Sequence, residues 1–352
     1  MTVEPPYRVL DLEGRPLNGV EPRLGLGAAV EGLRWMKLSR AYDVRATALQ
    51  RQGRLGMFSP VSGQEASVVG CALALDPAVD WVVPSYRELP ALLRQGYPLE
   101  NVFAGQMGKP AAARIPDGVN MLPNQVALAA QLPHAVGIAW GLRLQRRAGV
   151  VMAFCGEGAA SEGDFHEACN LAGVVRAPIV FVIQNNQWAI STSTDLQSAG
   201  EYYRRAAGYG FPGRQVDGQD LAAVYEVAAE AVGRARAGDG PSLIESVTAR
   251  WSFHNTTDNP RAYLPEGWLD NAQRDDPIAR VEAWLNSQGL WDDTTRAAME
   301  AEVAEVLDGA LAAAGAMPGP RPGEVFANVY EQLPERVRGQ RRELERLTGG
   351  SA

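Results

Sequence analysis

The chain has 352 residues, 46% of them hydrophobic, which is enough to bury a sizeable core as one large α/β domain or two smaller ones. Its formal net charge is −8 with no basic block, so composition argues against a nucleic acid or a membrane surface as partner. Cys71, Cys155 and Cys169 sit singly in apolar runs as reduced core residues, the amino end lacks a secretory signal and no run reaches transmembrane length, so the expected location is cytoplasmic.

In chain order, 7–14 reads as a short hairpin and 30–52 as a long helix with Leu33, Met36, Leu38 and Tyr42 on one side. The glycines of 53–63 turn the chain into a buried helix over 65–75. Trp81 to Val83 form an apolar strand that ends at Pro84, with Ser85, Tyr86 and Arg87 at its carboxyl end. Arginine offers a planar fork for phosphate oxygens, and tyrosine adds a hydroxyl donor. A Pro-, Gly- and Ala-rich loop spans 109–125, and a helix opens near Gln131 and runs through Leu144.

The most informative stretch is 150–192. Val150 to Cys155, bounded by Gly149 and Gly156, reads as a buried strand. After Gly158 the period changes, with Phe165, Ala168, Cys169 and Ala172 on one helical face. Pro178 stops that helix and Ile179 to Ile183 form a second buried strand. Glu157 and Asn186 therefore lie just past the carboxyl ends of two strands, where open parallel sheets bind ligands. A carboxylate, an amide oxygen and a nearby main-chain carbonyl are hard donors, and magnesium takes the rest of its six ligands from phosphates and water. Gly156 and Gly158 allow close backbone approach, and the amides from Gly158 through Ala159 to Ser161, at a helix amino end, suit a diphosphate. These residues predict a magnesium–diphosphate site.

Further on, 209–220 reads as a strand and turn, 221–237 as a helix and 242–247 as a strand leading to a polar loop with Arg250 and His254. His134 and His166 fall within helical patterns and read as structural. From Asp275 the chain is helical, then 317–323 is a linker, followed by a short helix and a charged tail at 336–346, read as a solvated face or part of a subunit contact.

The string GEGAASEGDFHEACNLAG, followed by APIVFVIQNNQWAIST, carries the Gly-Glu-Gly and spaced Asn-Asn of thiamine diphosphate enzymes. It closely resembles the alpha subunit of the decarboxylating first component of 2-oxo acid dehydrogenase complexes, and the resemblance extends from Gly53 to about Pro334. It implies a parallel sheet flanked by helices, the diphosphate-binding half of a thiamine diphosphate-binding fold, with helical N- and C-terminal extensions. The expected division is 1–52, 53–270 and 271–352. By the same resemblance, Glu157, Asn186 and the carbonyl of Trp188 would bind Mg2+. Ser85, Tyr86, Arg87, Val126, Leu128, Gly156, Gly158, Ala159 and Arg250 would contact the cofactor. Leu128 would wedge between its two rings and enforce the bent conformer that brings the aminopyrimidine onto the thiazolium, and Met57 and Phe58 would wall the substrate pocket. His254 becomes the active-site histidine, contacting the cofactor and assisting acyl transfer.

Several positions depart from the family pattern. Ser85 stands where some relatives carry Gln, Gln184 replaces a basic residue and Glu157 replaces the commoner Asp. Gln125 and Ala130 replace hydroxyl residues that hold potassium in some relatives. Asn255 stands at the regulatory phosphoserine position, which excludes phosphorylation there.

The resemblance also implies partners. A separate beta subunit would supply the pyrimidine half of the site and its activating glutamate, giving a two-alpha, two-beta heterotetramer that serves a lipoyl-bearing acyltransferase core. The expected substrate is a small 2-oxo acid, pyruvate ahead of a branched-chain one. Gln64 within 63–66 and the segment 115–120 resemble pyruvate-type enzymes, whereas Gly-Glu-Gly is frequent in branched-chain types acting on 3-methyl-2-oxobutanoate. Acetoin dehydrogenase and a noncatalytic diphosphate-binding regulatory subunit are the remaining readings. Intact Glu157, Asn186, Arg87 and His254 argue against the last, and transketolase-like transfer usually needs a longer chain with both cofactor domains.

Overall fold

The computed structural model describes residues 5–321, 323–327 and 329–349. The parts of the expected extensions at 1–4, Pro322, Asn328 and 350–352 lie outside the described residues. Within them the strands are β1 (Trp81–Val83), β2 (Val151–Gly156), β3 (Ile179–Asn185), β4 (Trp188–Ala189), β5 (Thr192–Ser193), β6 (Gly213–Asp217) and β7 (Ser242–Val247). The helices are α1 (Leu26–Arg51), α2 (Glu65–Leu73), α3 (Leu89–Arg94), α4 (Leu99–Gln106), α5 (Gln131–Leu144), α6 (Gly163–Val174), α7 (Leu221–Ala237), α8 (Trp268–Arg274), α9 (Pro277–Ser287), α10 (Asp293–Ala316), α11 (Glu324–Ala327) and α12 (Glu335–Leu347).

Five strands form one parallel sheet in the order β1-β2-β3-β7-β6. Alternation explains the two-sided burial. Ala153, Cys155, Phe181 and Ile183 enter the cluster shared with α5 and α6, while Met152, Phe154, Val180 and Val182 enter the cluster shared with α2 and α7. A sheet apolar on both faces is stable only with helices on both, and that is what forms. The expected parallel α/β fold with helices around it is thus present, and helices 131–144 and 221–237 and strand 242–247 have their expected bounds. The first helix starts earlier than its apolar pattern, at Leu26, after an extended Gly25.

Residues from both ends of the chain join the core. Leu10, Leu24 and Leu33 share a cluster with Phe154 and Val180, as do Val281, Trp284 and Trp291. Asp220 fastens the amino segment. One carboxylate oxygen accepts from Val9 N and Leu10 N at 2.7 Å each, while the other caps α7 through Ala222 N and Ala223 N. The hairpin expected over 7–14 is only partly internal. Leu10 bridges Pro16 antiparallel, but Tyr7 bridges Val216 in parallel and extends the sheet beyond β6. A third cluster joins Leu38 and Tyr42 of α1, Phe103 of α4, and Val303 and Leu307 of α10. Among the described residues no helix is long and apolar enough to cross a membrane.

Parallel pairing brings the carboxyl ends of β1, β2, β3 and β7 to one edge. Register places Gly156 beside Gln184 and Asn185 beside Val247. The segments that follow, 84–88, 157–161, 186–190 and 248–258, therefore meet in space although they are far apart in sequence.

Candidate active site

A cavity of about 560 Å³ opens at that edge. Its walls include Met57, Phe58, Ser85, Tyr86, Arg87, Val126, Leu128, Gly156, Glu157, Gly158, Ala159, Asn186, Trp188 and His254. Every residue singled out from the sequence faces it except Arg250, which lies behind the wall. Gln64, Glu88, Gln184 and Asn255 line it too.

The two adjacent asparagines have different tasks, and strand geometry decides which. Asn185 is the last residue of β3. Its amide donates to the buried Glu245 at 2.8 Å, and its oxygen accepts from Gln187 N and Thr194 Oγ1, so it ties down the loop. Asn186, one residue further, faces the cavity. Its N–H donates to Glu157 Oε2 at 3.3 Å, and its Oδ1 accepts from Trp188 N at 3.2 Å. Glu157 Oε1 is buried and has no partner among the described residues. Burial pushes the Glu157 carboxyl up to about 7, against the pull of its hydrogen bonds and of Arg250 and Arg87.

The glycines differ as well. A Cβ on Gly156 would meet nothing within 4 Å, so this position opens onto the cavity, whereas one on Gly158 would lie 2.7 Å from Ala189 Cβ. Gly158→Ala is expected to lower stability by about 1–3 kcal/mol through this overlap, whereas Gly156→Ala leaves it unchanged. Urea unfolding of the two variants separates these outcomes. Backbone strain also collects here. Ala129, Gln187 and Ile190 all have positive φ, at 63°, 72° and 54°. For the β-branched Ile190, at the tip of the β4–β5 hairpin, this conformation is unusual and marks a constrained loop.

Two arginines and His254 form the opposite wall. Arg250 is 1% exposed and donates to Ser252 O, Trp188 O, Ile190 O and Tyr263 Oη, with His254 Nδ1 at 3.5 Å. All its N–H groups are thereby engaged, and it acts as a brace between the 188–190 and 250–263 segments. Arg87 donates from Nη1 to Pro60 O at 2.7 Å and from Nη2 to His254 O at 2.6 Å and Nδ1 at 3.0 Å. Among the described residues its Nε and one Nη1 hydrogen have no such acceptor. A guanidinium only donates, so His254 Nδ1 accepts and its proton resides on Nε2. Burial, with Arg87 and Arg250 beside it, pulls the His254 pKa down to about 4, and the ring is neutral at physiological pH. Its main-chain N–H donates to Asp258 Oδ2, which also accepts from Tyr263 Oη. Tyr86 meets the imidazole edge-on at 6.0 Å.

Glu88, at the amino end of α3, accepts from Arg87 N at 3.0 Å and from the Gln184 side-chain amide. This is where the residue in place of a basic one goes: Gln184 pairs with a buried carboxyl, and burial raises Glu88 to about 7. Asp43, deep beside an adjoining cavity, is likewise raised by burial to about 7. Carboxyls raised in the fold contribute stability that is complete below their unfolded pKa and is lost as pH rises through about 7. His254 has the opposite sign, its contribution being lost as pH falls from 6.5 toward about 4. The carboxyls outnumber it, so the melting temperature of the ligand-free chain is expected to fall from pH 5 to pH 7.5, and Glu88→Gln to show a smaller fall. Calorimetric scans across that range check this.

Among the described residues no group of three or more His, Cys, Asp or Glu side chains converges. The donor set around Glu157 has a single carboxylate, the pattern of a cation that takes most of its ligands from phosphates and water. The unpartnered Glu157 Oε1 and the open face at Gly156 fit such a group.

Fold and cavity together define an α/β enzyme with its site at the carboxyl edge of a parallel sheet. The sequence profile described as "Dehydrogenase E1 component" matches residues 33–323. The pyruvate dehydrogenase E1 component subunit alpha of Bacillus subtilis (strain 168) is 36% identical over 337 residues, covering 95% of this chain and 91% of the relative. The 3-methyl-2-oxobutanoate dehydrogenase subunit alpha of Mycobacterium tuberculosis (strain ATCC 25618 / H37Rv) is 39% identical over 344 residues, covering 96% and 93%. The chain belongs to the dehydrogenase E1 component family. It is an alpha subunit of a thiamine diphosphate-dependent 2-oxo acid dehydrogenase.

Proposed function

We propose that the cavity holds magnesium thiamine diphosphate and that the chain, with a beta subunit, oxidatively decarboxylates pyruvate and delivers the acyl group to a lipoyl arm of an acyltransferase core. The observation that carries the reading is Glu157 Oε1, buried without a partner in a cavity between strand ends. Unpartnered buried acceptors are costly, and a cation at that oxygen removes the cost.

Each residue has a task in this reading. Glu157 and Asn186 hold Mg2+ with the carbonyl of Trp188, whose second lone pair is left by Arg250. The open backbone at Gly156, with Gly158 and Ala159, receives the diphosphate, and Arg87 adds its two uncommitted N–H groups, flanked by Ser85 and Tyr86. Val126 and Leu128, both exposed at the cavity mouth, contact the rings of the cofactor. Arg250 acts by bracing. When bound, thiamine diphosphate would supply a thiazolium carbon nucleophile and an electron sink for the pair left behind as carbon dioxide departs. His254, neutral and protonated on Nε2, offers a donor at the mouth and moves a proton during acyl transfer.

Phe58 and Met57 wall the substrate side. In the same proposal region 53–270 carries the cofactor, and 1–52 and 271–352 are its extensions. The heterotetramer and the cytoplasmic location belong to the same proposal, the latter supported by the buried free thiols Cys71, Cys155 and Cys169.

One observation favours a branched-chain substrate instead. A second cavity of about 250 Å³ adjoins the first and shares Phe58, Ser59 and Tyr86 with it, giving room beyond a methyl group. The test is reduction of an artificial electron acceptor by the chain copurified with its beta subunit, comparing pyruvate with 3-methyl-2-oxobutanoate. The proposal expects a higher kcat/KM for pyruvate. The reverse order assigns the branched-chain activity, and cofactor binding without turnover of either points to acetoin or another 2-oxo acid.

A further inference from the structure

Gln64 stands at the amino end of α2 and is 0% exposed. Its backbone is held on both sides. Gln64 N donates to Val61 O at 2.9 Å, and the preceding Gly63 N donates to Glu65 Oε2 at 2.9 Å. Its side chain belongs to a chain of hydrogen bonds whose polarity is fixed at the far end. Trp188 N–H can only donate, and it donates to Asn186 Oδ1. Asn186 Nδ2 must then be the donor to Gln64 Oε1, at 3.3 Å. What remains is Gln64 Nε2, a buried donor on a cavity-lining residue, without a partner among the described residues. A buried donor left open beside a cavity that also presents the free Glu157 Oε1 calls for an acceptor on the ligand.

We propose that Gln64 is a cofactor-positioning residue: it fixes the orientation of the Asn186 amide and donates from Nε2 to an anionic oxygen of the diphosphate. This rests on the reading of the cavity as the magnesium thiamine diphosphate site. The contact with Asn186 puts the donor at the metal end of the cavity and therefore near the diphosphate. The carboxylate of the 2-oxo acid has the same acceptor chemistry and is distinguished by the test.

The experiment uses the chain assembled with its beta subunit, in wild type, Gln64→Met and Gln64→Glu forms. Thiamine diphosphate is titrated calorimetrically at saturating Mg2+, and Mg2+ at saturating cofactor. Gln64→Met removes both hydrogen bonds. Gln64→Glu keeps an acceptor for Asn186 Nδ2 and replaces the donor by a negative charge. Both are expected to weaken cofactor binding at least about tenfold. Half-saturating Mg2+ should rise in Gln64→Met and not in Gln64→Glu, a split that a purely structural role would not produce. If Gln64→Met fails to assemble, Gln64→Glu decides.

Cofactor affinity equal to wild type in the assembled variants overturns the proposal, since the donor is then met by water. Unchanged cofactor affinity with a raised KM for the 2-oxo acid also overturns it and reassigns the donor to the substrate carboxylate. Wild type that binds no thiamine diphosphate overturns the reading of the whole cavity, an outcome separate from either.

Discussion

Glu157→Ala is expected to weaken magnesium-dependent binding of thiamine diphosphate at least about a hundredfold, or roughly 3 kcal/mol. Glu157 is the one carboxylate in the donor set, and its Oε1 has no other partner to compensate. The effect on the fold has the opposite sign. The carboxyl is buried and held up to about 7, so its removal takes away a group that costs desolvation near neutral pH. The ligand-free variant should therefore melt no lower than wild type near pH 7.5. Loss of binding with intact stability is the signature of a ligand-holding residue. Titration calorimetry and thermal scans on the same samples measure both. Unchanged affinity would place the metal away from Glu157.

Arg250→Leu is expected to release two loops together. The guanidinium satisfies the carbonyls of Trp188 and Ile190 and the hydroxyl of Tyr263, and it lies 3.5 Å from the ring nitrogen of His254 that Arg87 already serves. Each acceptor left unmet costs about 1–3 kcal/mol, and the loops open to reach water before the sheet unfolds. Hydrogen exchange should rise in 188–193 and 251–263 while β2 and β3 stay protected. Activity should fall as well, because the His254 ring and the Trp188 carbonyl lose their brace. Arg250→Lys should not restore protection, since one ammonium cannot reproduce the planar fork that spans two loops. Exchange in the two segments at the wild-type rate would contradict the bracing role.

The sheet was legible because its evidence is local. Val151 to Cys155 and Ile179 to Ile183 are short apolar runs bounded by Gly and Pro, and parallel pairing then fixes where the strands end. Glu157, Asn186 and Arg87 could be found because each lies in the short polar segment after such a run. Gln64 and Glu88 could not. They are ordinary polar residues at helix starts, and only the pairing of β1, β2 and β3 brings them to the cavity. The signal that would have found them is polarity beside a helix, such as α2, that is mostly apolar and buried throughout.

Arg250 was recognised as near the site, but its work as a brace depends on carbonyls more than fifty residues away, which no local pattern encodes. The positive φ at Ala129, Gln187 and Ile190 was equally hidden, since none of these is glycine. Resemblance to a family supplied residue roles, while the hydrogen bonds show which of those residues are already committed to other protein groups.

The most direct test of the account is titration calorimetry of the chain assembled with its beta subunit. Thiamine diphosphate is added once with Mg2+ and once with excess chelator. The account predicts one saturable site per alpha subunit with Mg2+, and binding at least about tenfold weaker without it. Binding of equal strength with and without the metal, or no binding at all, would contradict the assignment of the cavity around Glu157 and Asn186.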